Sequence, residues 1–205
     1  MNREELINRI VEEKGTEAIP ALLDLLVNED SETAHICFDA LLQMGEAVVP
    51  LLIEKMRITN IDPVSRLYLA DLAGEIGDRR TVTNLYEMLK DFSDERSQVV
   101  IYEALARLGE GEKVVGLLSL MLSENNDSEL RDQVIMALSS TNSSMAVKAL
   151  AELYGRETTD KSTKAFILEA VHSILSRRYE LKNYLQSLHN GREITERLYQ
   201  WQKEN

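Results

Sequence analysis

A single cysteine, Cys37, stands in a chain of 205 residues, so no internal disulfide can form and packing must hold the fold. Prolines number three, glycines nine, and aromatic residues make up only 5 %. The residues that punctuate strands and turns are thus scarce, whereas Leu, Ala, Glu and Lys are plentiful, which predicts an all-helical protein. Basic residues total 23 against 35 acidic ones, a formal net charge of −12. Polyanions are bound largely through counterions displaced by Lys and Arg, so this balance disfavours nucleic acid and an anionic membrane surface. Two arginine pairs, Arg79 with Arg80 and Arg177 with Arg178, are the local hints of a basic groove. No apolar run approaches the length that spans a bilayer, and the opening "MNREELINRIVEEKG" is too charged for a signal sequence. The expectation is a cytoplasmic protein without a membrane role.

What the chain does contain is a repeat. "GTEAIPALLDLL" at Gly15 to Leu26 is echoed by "GEAVVPLLIEKM" at Gly45 to Met56. Taking Ile19 and Val49 as equivalent, the series continues through Val82, Val115, Val147 and Leu181. Three residues beyond each stand Leu22, Leu52, Leu85, Leu118, Leu150 and Tyr184, and seven beyond stand Leu26, Met56, Leu89, Leu122, Tyr154 and Leu188. That i, i+3, i+7 pattern lines one face of a helix. A second ladder precedes it: Asp30, Asp62, Asp94, Asp127 and Asp160 suit helix N-caps, and Pro63 after Asp62 suits a first helical position. Ten residues past each aspartate come Ala40, Leu72, Ala104, Ala137 and Ala170, mostly small, which lets a neighbouring helix approach. Gly15, Gly45, Gly77 and Gly109 separate the two ladders, with Asn142 in the fifth unit, as expected of left-handed helix ends. Six helix pairs follow, at about 1–28, 30–58, 62–91, 94–124, 127–156 and 160–190, and residues 191–205 are expected to form a capping helix. One pair cannot bury its apolar face alone, so the pairs must stack.

On the capping aspartates, "ALARLG" at Ala104 to Gly109, "AIPALLDLL" and "VVPLLIEKM", the chain resembles the HEAT-repeat superfamily, in the short-repeat form seen in phycobilisome lyase subunits. The resemblance implies a right-handed α-α superhelix, an α-solenoid, whose second helices line a concave surface. A basic residue four positions after the aspartate, frequent in such repeats, is present as Arg66, Arg131 and Lys164, while Ala34 and Gln98 replace it elsewhere.

Chemistry is sparse. His35, His172 and His189 lie in different units without metal-ligand spacing, and no His-Glu dipeptide of the kind a HEAT-like iron hydroxylase needs is present. They are expected to be solvated or at helix ends. Cys37 occupies a position that is aliphatic in the other units, which suits a buried thiol better than a nucleophile. No catalytic, cofactor-binding or metal residue is assigned, no cofactor is expected, and the chain reads as no enzyme. Two acidic rows recur: Asp39, Asp71, Glu103 and Glu169 on first helices, and Asp24, Glu54, Glu87 and Glu152 on second helices. Either is a solvated face repeated by duplication, or the second forms an acidic strip facing a basic partner. Leu120 interrupts that second row, as an ordinary exposed leucine or as a docking spot.

The leading expectation is a non-catalytic scaffold or adaptor that binds a partner protein, one with a basic surface, through Asp24, Glu54, Glu87, Leu120 and Glu152. The alternatives are a lyase-type or chaperone-like accessory subunit acting on a cofactor-carrying protein and, as a lesser one, a HEAT-like DNA-binding protein. The oligomeric state is left open.

Overall fold

A computed structural model describes residues 3–124 and 127–204, and among them every regular element is helical. The chain divides into two compact units, Met1–Leu108 and Gly109–Asn205. The first holds α1 (Arg3–Lys14), α2 (Ile19–Asn28), α3 (Ser31–Met44), α4 (Val49–Met56), α5 (Pro63–Ile76), α6 (Val82–Leu89) and α7 (Glu95–Leu105). The second holds α8 (Gly111–Glu124), α9 (Ser128–Thr141), α10 (Ser144–Tyr154), α11 (Lys161–Arg177), α12 (Leu181–Ser187) and α13 (Gly191–Glu204).

From α3 onward each first helix starts where an aspartate satisfies otherwise orphaned amide groups. Asp30 accepts from the Glu32 and Thr33 amides, Asp62 from Ser65, Asp94 from Ser97, Asp127 from Glu129 and Leu130, and Asp160 from Thr163. These donors favour the charged carboxylate, so Asp30, Asp94 and Asp160 titrate below the usual carboxylate range. Pro63 sits in the first turn of α5. Most first helices end at a positive φ: 58° at Gly45, 78° at Gly77, and 52° at Asn142, which holds the left-handed conformation without being glycine.

Within each unit the pairs stack through the residues of the repeat. In the first, α3 packs on α1, α2 and α5, and α5 packs on α7; in the second, α9 packs on α8 and α11. The residues ten past each aspartate, Ala40, Leu72, Ala104, Ala137 and Ala170, are all buried. The approach of α5 to α7 is close, since a Cβ on Gly74 would lie 2.8 Å from the Ala104 Cα. The second-helix ladder is buried at Ile19, Leu22, Leu26, Val49, Leu52, Met56, Leu85, Val115, Leu118, Leu122, Val147, Leu150 and Tyr154. It loosens in the last pair, where Leu185 is fully buried and Tyr184 is only half-buried. Seven residues suffice for α12, so its apolar stripe is read at i, i+4 and not at i, i+3, i+7.

Ser31–Met56 reaches a mean hydropathy of 1.7, more apolar than the sequence reading allowed. It is not one rod, because Gly45 separates α3 from α4, and Cys37, Ala40, Leu41, Val49 and Leu52 are buried within the first unit. The helix α13 packs on α11 and α12 with Ile194 and Leu198 buried, and the Tyr154 hydroxyl lies 3.2 Å from Glu193.

Candidate functional site

In both units the second helices lie side by side, α4 between α2 and α6, and α10 between α8 and α12. Their buried stripe faces the first helices, so the position five residues past the reference Ile or Val points outward. Asp24, Glu54 and Glu87 occupy that exposed position in the first unit, and Leu120 and Glu152 occupy it in the second. The acidic row is not a bare strip. Asp24 is bridged to Lys55 of the next second helix, Glu87 to Lys90 at 2.7 Å and Glu152 to Lys148 at 3.8 Å. The Glu87 and Glu152 pairs, exposed on both sides, contribute little stability and are easily exchanged for pairs with another molecule, whereas Lys55 is largely covered. Leu120 is 51 % exposed, and one helical turn before it Leu117 is 47 % exposed. Leu117 went unnoticed in the sequence because a lone leucine in an apolar helix carries no signal; its spacing of three from Leu120 is the clue. A Cβ on Gly116 would meet nothing within 4 Å, so packing does not require glycine there.

The first-helix acids behave differently. Arg107 binds Asp71 at 3.1 Å, Glu75 at 2.5 Å and Glu103 at 2.7 Å, so three carboxylates of α5 and α7 share one guanidinium. Burial raises the Asp71 pKa, Glu75 adds to the rise, and Arg107 opposes it. Asp71 and Glu103 are thus part of the inter-helix packing of the first unit, not a freely solvated face.

In each unit the arginine pair is engaged locally. Arg79 Nη1 donates to the Leu108 carbonyl at 2.8 Å, and Arg177 donates to the Ser139 carbonyl at 2.6 Å and to Asn142 Oδ1 at 2.7 Å. Arg178 reaches the Asn142 carbonyl and Glu180. Guanidinium groups here neutralise carbonyls at the ends of first helices, where the helix dipole favours positive charge.

Arg80, however, lines a groove of about 630 Å³ beside α4 and α6 that the sequence did not reveal. Arg57, Arg66 and Lys90 line it as well. These four cations come from α5 and three connecting segments, so no short motif marks them. Arg66 is 5 % exposed; its Nη2 donates to Asp91 at 2.8 Å, its guanidinium lies over the Phe92 ring, and its Nε has no hydrogen-bond partner.

Cys37 is buried, and burial pushes its thiol up, in keeping with an inert structural role. His35 Nδ1 pairs with the Ser31 carbonyl at 2.5 Å, and its ring meets Tyr68 edge-on. His172 is half-buried with its ring edge-on to Trp201, 5.2 Å away, so it is less solvated than expected. Among the described residues no three His, Cys, Asp or Glu side chains come together as metal ligands.

Residues 49–139 match the family of HEAT repeats. No curated protein matches the chain. Among solved structures, a chain in the complex of CpcE and CpcF of phycocyanin lyase from Nostoc sp. PCC7120 is similar, with a TM-score of 0.58 and 21 % identity. The match covers 76 % of this chain and 98 % of that one. The all-α solenoid expected from the repeat is therefore the fold. The expectation that the chain is no enzyme is corrected: the same fold builds a phycocyanin lyase complex. The physical reason is that a repeat protein draws its surfaces from helices some thirty residues apart, so lacking a short catalytic motif carries little weight.

Proposed function

We propose that this HEAT-repeat chain is a protein-docking subunit of a lyase-type assembly, acting on a cofactor-carrying protein through its second-helix face. What supports the reading is the exposed second-helix position held by Asp24, Glu54 and Glu87 in the first unit and by Leu120 and Glu152 in the second, on a fold that in Nostoc belongs to a two-protein lyase complex. Docking on such a face is inexpensive in entropy, because the side chains project from packed helices that do not need ordering. Asp24, Glu87 and Glu152 are already partnered by lysines, so a partner offering both charges can replace those lysines and carboxylates pair by pair. In the second unit Leu117 and Leu120 supply an apolar contact.

The test is gel filtration with light scattering of the protein from gently lysed native cells, with absorbance recorded across the visible range. The reading expects a hetero-complex whose second component carries an absorbing cofactor. Joint substitution of Glu54→Lys and Leu120→Asp is expected to weaken that complex at least tenfold while helicity is unchanged. A protein that elutes alone, or a complex indifferent to both substitutions, overturns it.

A further inference from the structure

We infer that the groove beside α4 and α6 binds a carboxylate-bearing peptide segment of a partner protein, with Arg66 and Arg57 receiving the carboxylate. The proposal rests on the docking reading above and names the chemistry recognised at one point of that face.

The groove inverts the charge of its surroundings. In a chain of net charge −12, its lining carries Arg57, Arg66, Arg80 and Lys90 against Glu87 and Asp91. Part of that cationic capacity is already engaged: Arg80 by Asp78, Lys90 by Glu87, and one Arg66 nitrogen by Asp91. Arg57 has no ion pair among the described residues, and Arg66 keeps a buried Nε without a partner. A guanidinium so far withdrawn from water, with one hydrogen bond to Asp91 and one ring beneath it, is under-satisfied. The groove reaches Arg66, so a second carboxylate seated there shares the guanidinium with Asp91 and pairs with the exposed Arg57.

The remaining lining fits a peptide better than a bare oxyanion. Ile53, Met56 and Met88 form an apolar wall, and methionine adapts to varied side chains. Thr83 and Asn84 offer both donors and acceptors, as a peptide backbone requires. A volume near 630 Å³ holds several side chains, whereas a phosphate ion would leave most of it empty.

The test titrates the full chain with a fluorescein-labelled peptide alternating glutamate and leucine, followed by fluorescence anisotropy. A lysine-leucine peptide, inorganic phosphate and acetate serve as competitors. The expected result is saturable binding of the acidic peptide, at least tenfold tighter than the basic one and weakened at least tenfold by Arg57→Glu. Arg66→Gln is expected to do the same. Because Arg66 is buried, the exposed Arg57 variant and the competitors decide the matter should Arg66→Gln unfold. Equal binding of both peptides, or affinity untouched by Arg57→Glu, overturns the proposal. So does phosphate competing at the concentration of the acidic peptide, which would assign a general oxyanion site. Failure here with the native hetero-complex intact removes the groove and leaves the docking reading standing.

Discussion

Arg107 Nη1 lies 3.1 Å from Asp71 Oδ1, joining the segment just past α7 to α5 across thirty-six positions. The same guanidinium holds Glu75 and Glu103, so it is the positive centre of an otherwise repulsive cluster. Arg107→Gln is expected to lower stability by about 1–2 kcal/mol, a figure discounted for partial exposure of the partners. Urea unfolding at neutral pH checks it. The deficit should shrink on acidification. Burial raises the Asp71 pKa in the folded chain, so its ionisation opposes folding above that pKa, and the cost disappears as pH falls below the unfolded value. Losing Arg107 enlarges this cost, and variant and parent should converge near about pH 4. A deficit constant with pH would contradict the account.

The aspartate caps work with the opposite sign. The amide donors depress Asp30, Asp94 and Asp160, so their stabilisation is complete above the unfolded carboxylate pKa. It is lost as pH falls through the depressed folded values. Asp94→Ala is expected to cost about 1 kcal/mol, and Asp94→Asn, which keeps an acceptor, much less. Thermal unfolding of both variants at neutral pH and in mild acid measures the difference, and equal losses for Ala and Asn would argue against capping.

Two glycines inside helices make a contrast. At Gly116 a methyl group meets open space, so Gly116→Ala should stabilise by about 0.5–1 kcal/mol through reduced backbone entropy of the unfolded chain. At Gly74 the methyl would press on the Ala104 backbone, so Gly74→Ala should destabilise by about 1–3 kcal/mol as α5 and α7 move apart. Calorimetric midpoints that shift in the same direction for both would refute this reading of the packing.

Cys37 is expected to be silent toward an aromatic disulfide reagent in the folded protein and to react fully in denaturant. Burial both shields the sulfur and disfavours its thiolate. Rapid stoichiometric labelling of native protein would show the site to be open.

The fold was legible in the sequence because its determinants are local and recur. Asp62 with Pro63, Gly77, and the Val49, Leu52, Met56 stripe each state their role within one turn of helix. Asn142 too was readable as a glycine substitute. The acidic second-helix row could be placed on an outer face by spacing alone, but its compensation could not, since Lys55 meets Asp24 only when successive units pack. The groove cations were hidden for the same reason. Arg66 looked like one member of a conventional basic ladder, and only packing against Phe92 and Asp91 shows it buried and partly unmet. Arg79 and Arg177 hinted at a basic groove through their sequence neighbours, whereas their targets are carbonyls about thirty residues away.

Asn142 shows how a repeat can lose its interchangeability. Glycine would adopt its backbone angles with less strain, yet the amide oxygen of Asn142 is what Arg177 grips. Once a side chain has been recruited across two repeats, either partner can change only in step with the other. Swapping the fifth turn for any of its glycine counterparts would therefore cut a tie that those turns never had. Copies born identical become, at this joint, individuals with a fixed address in the row.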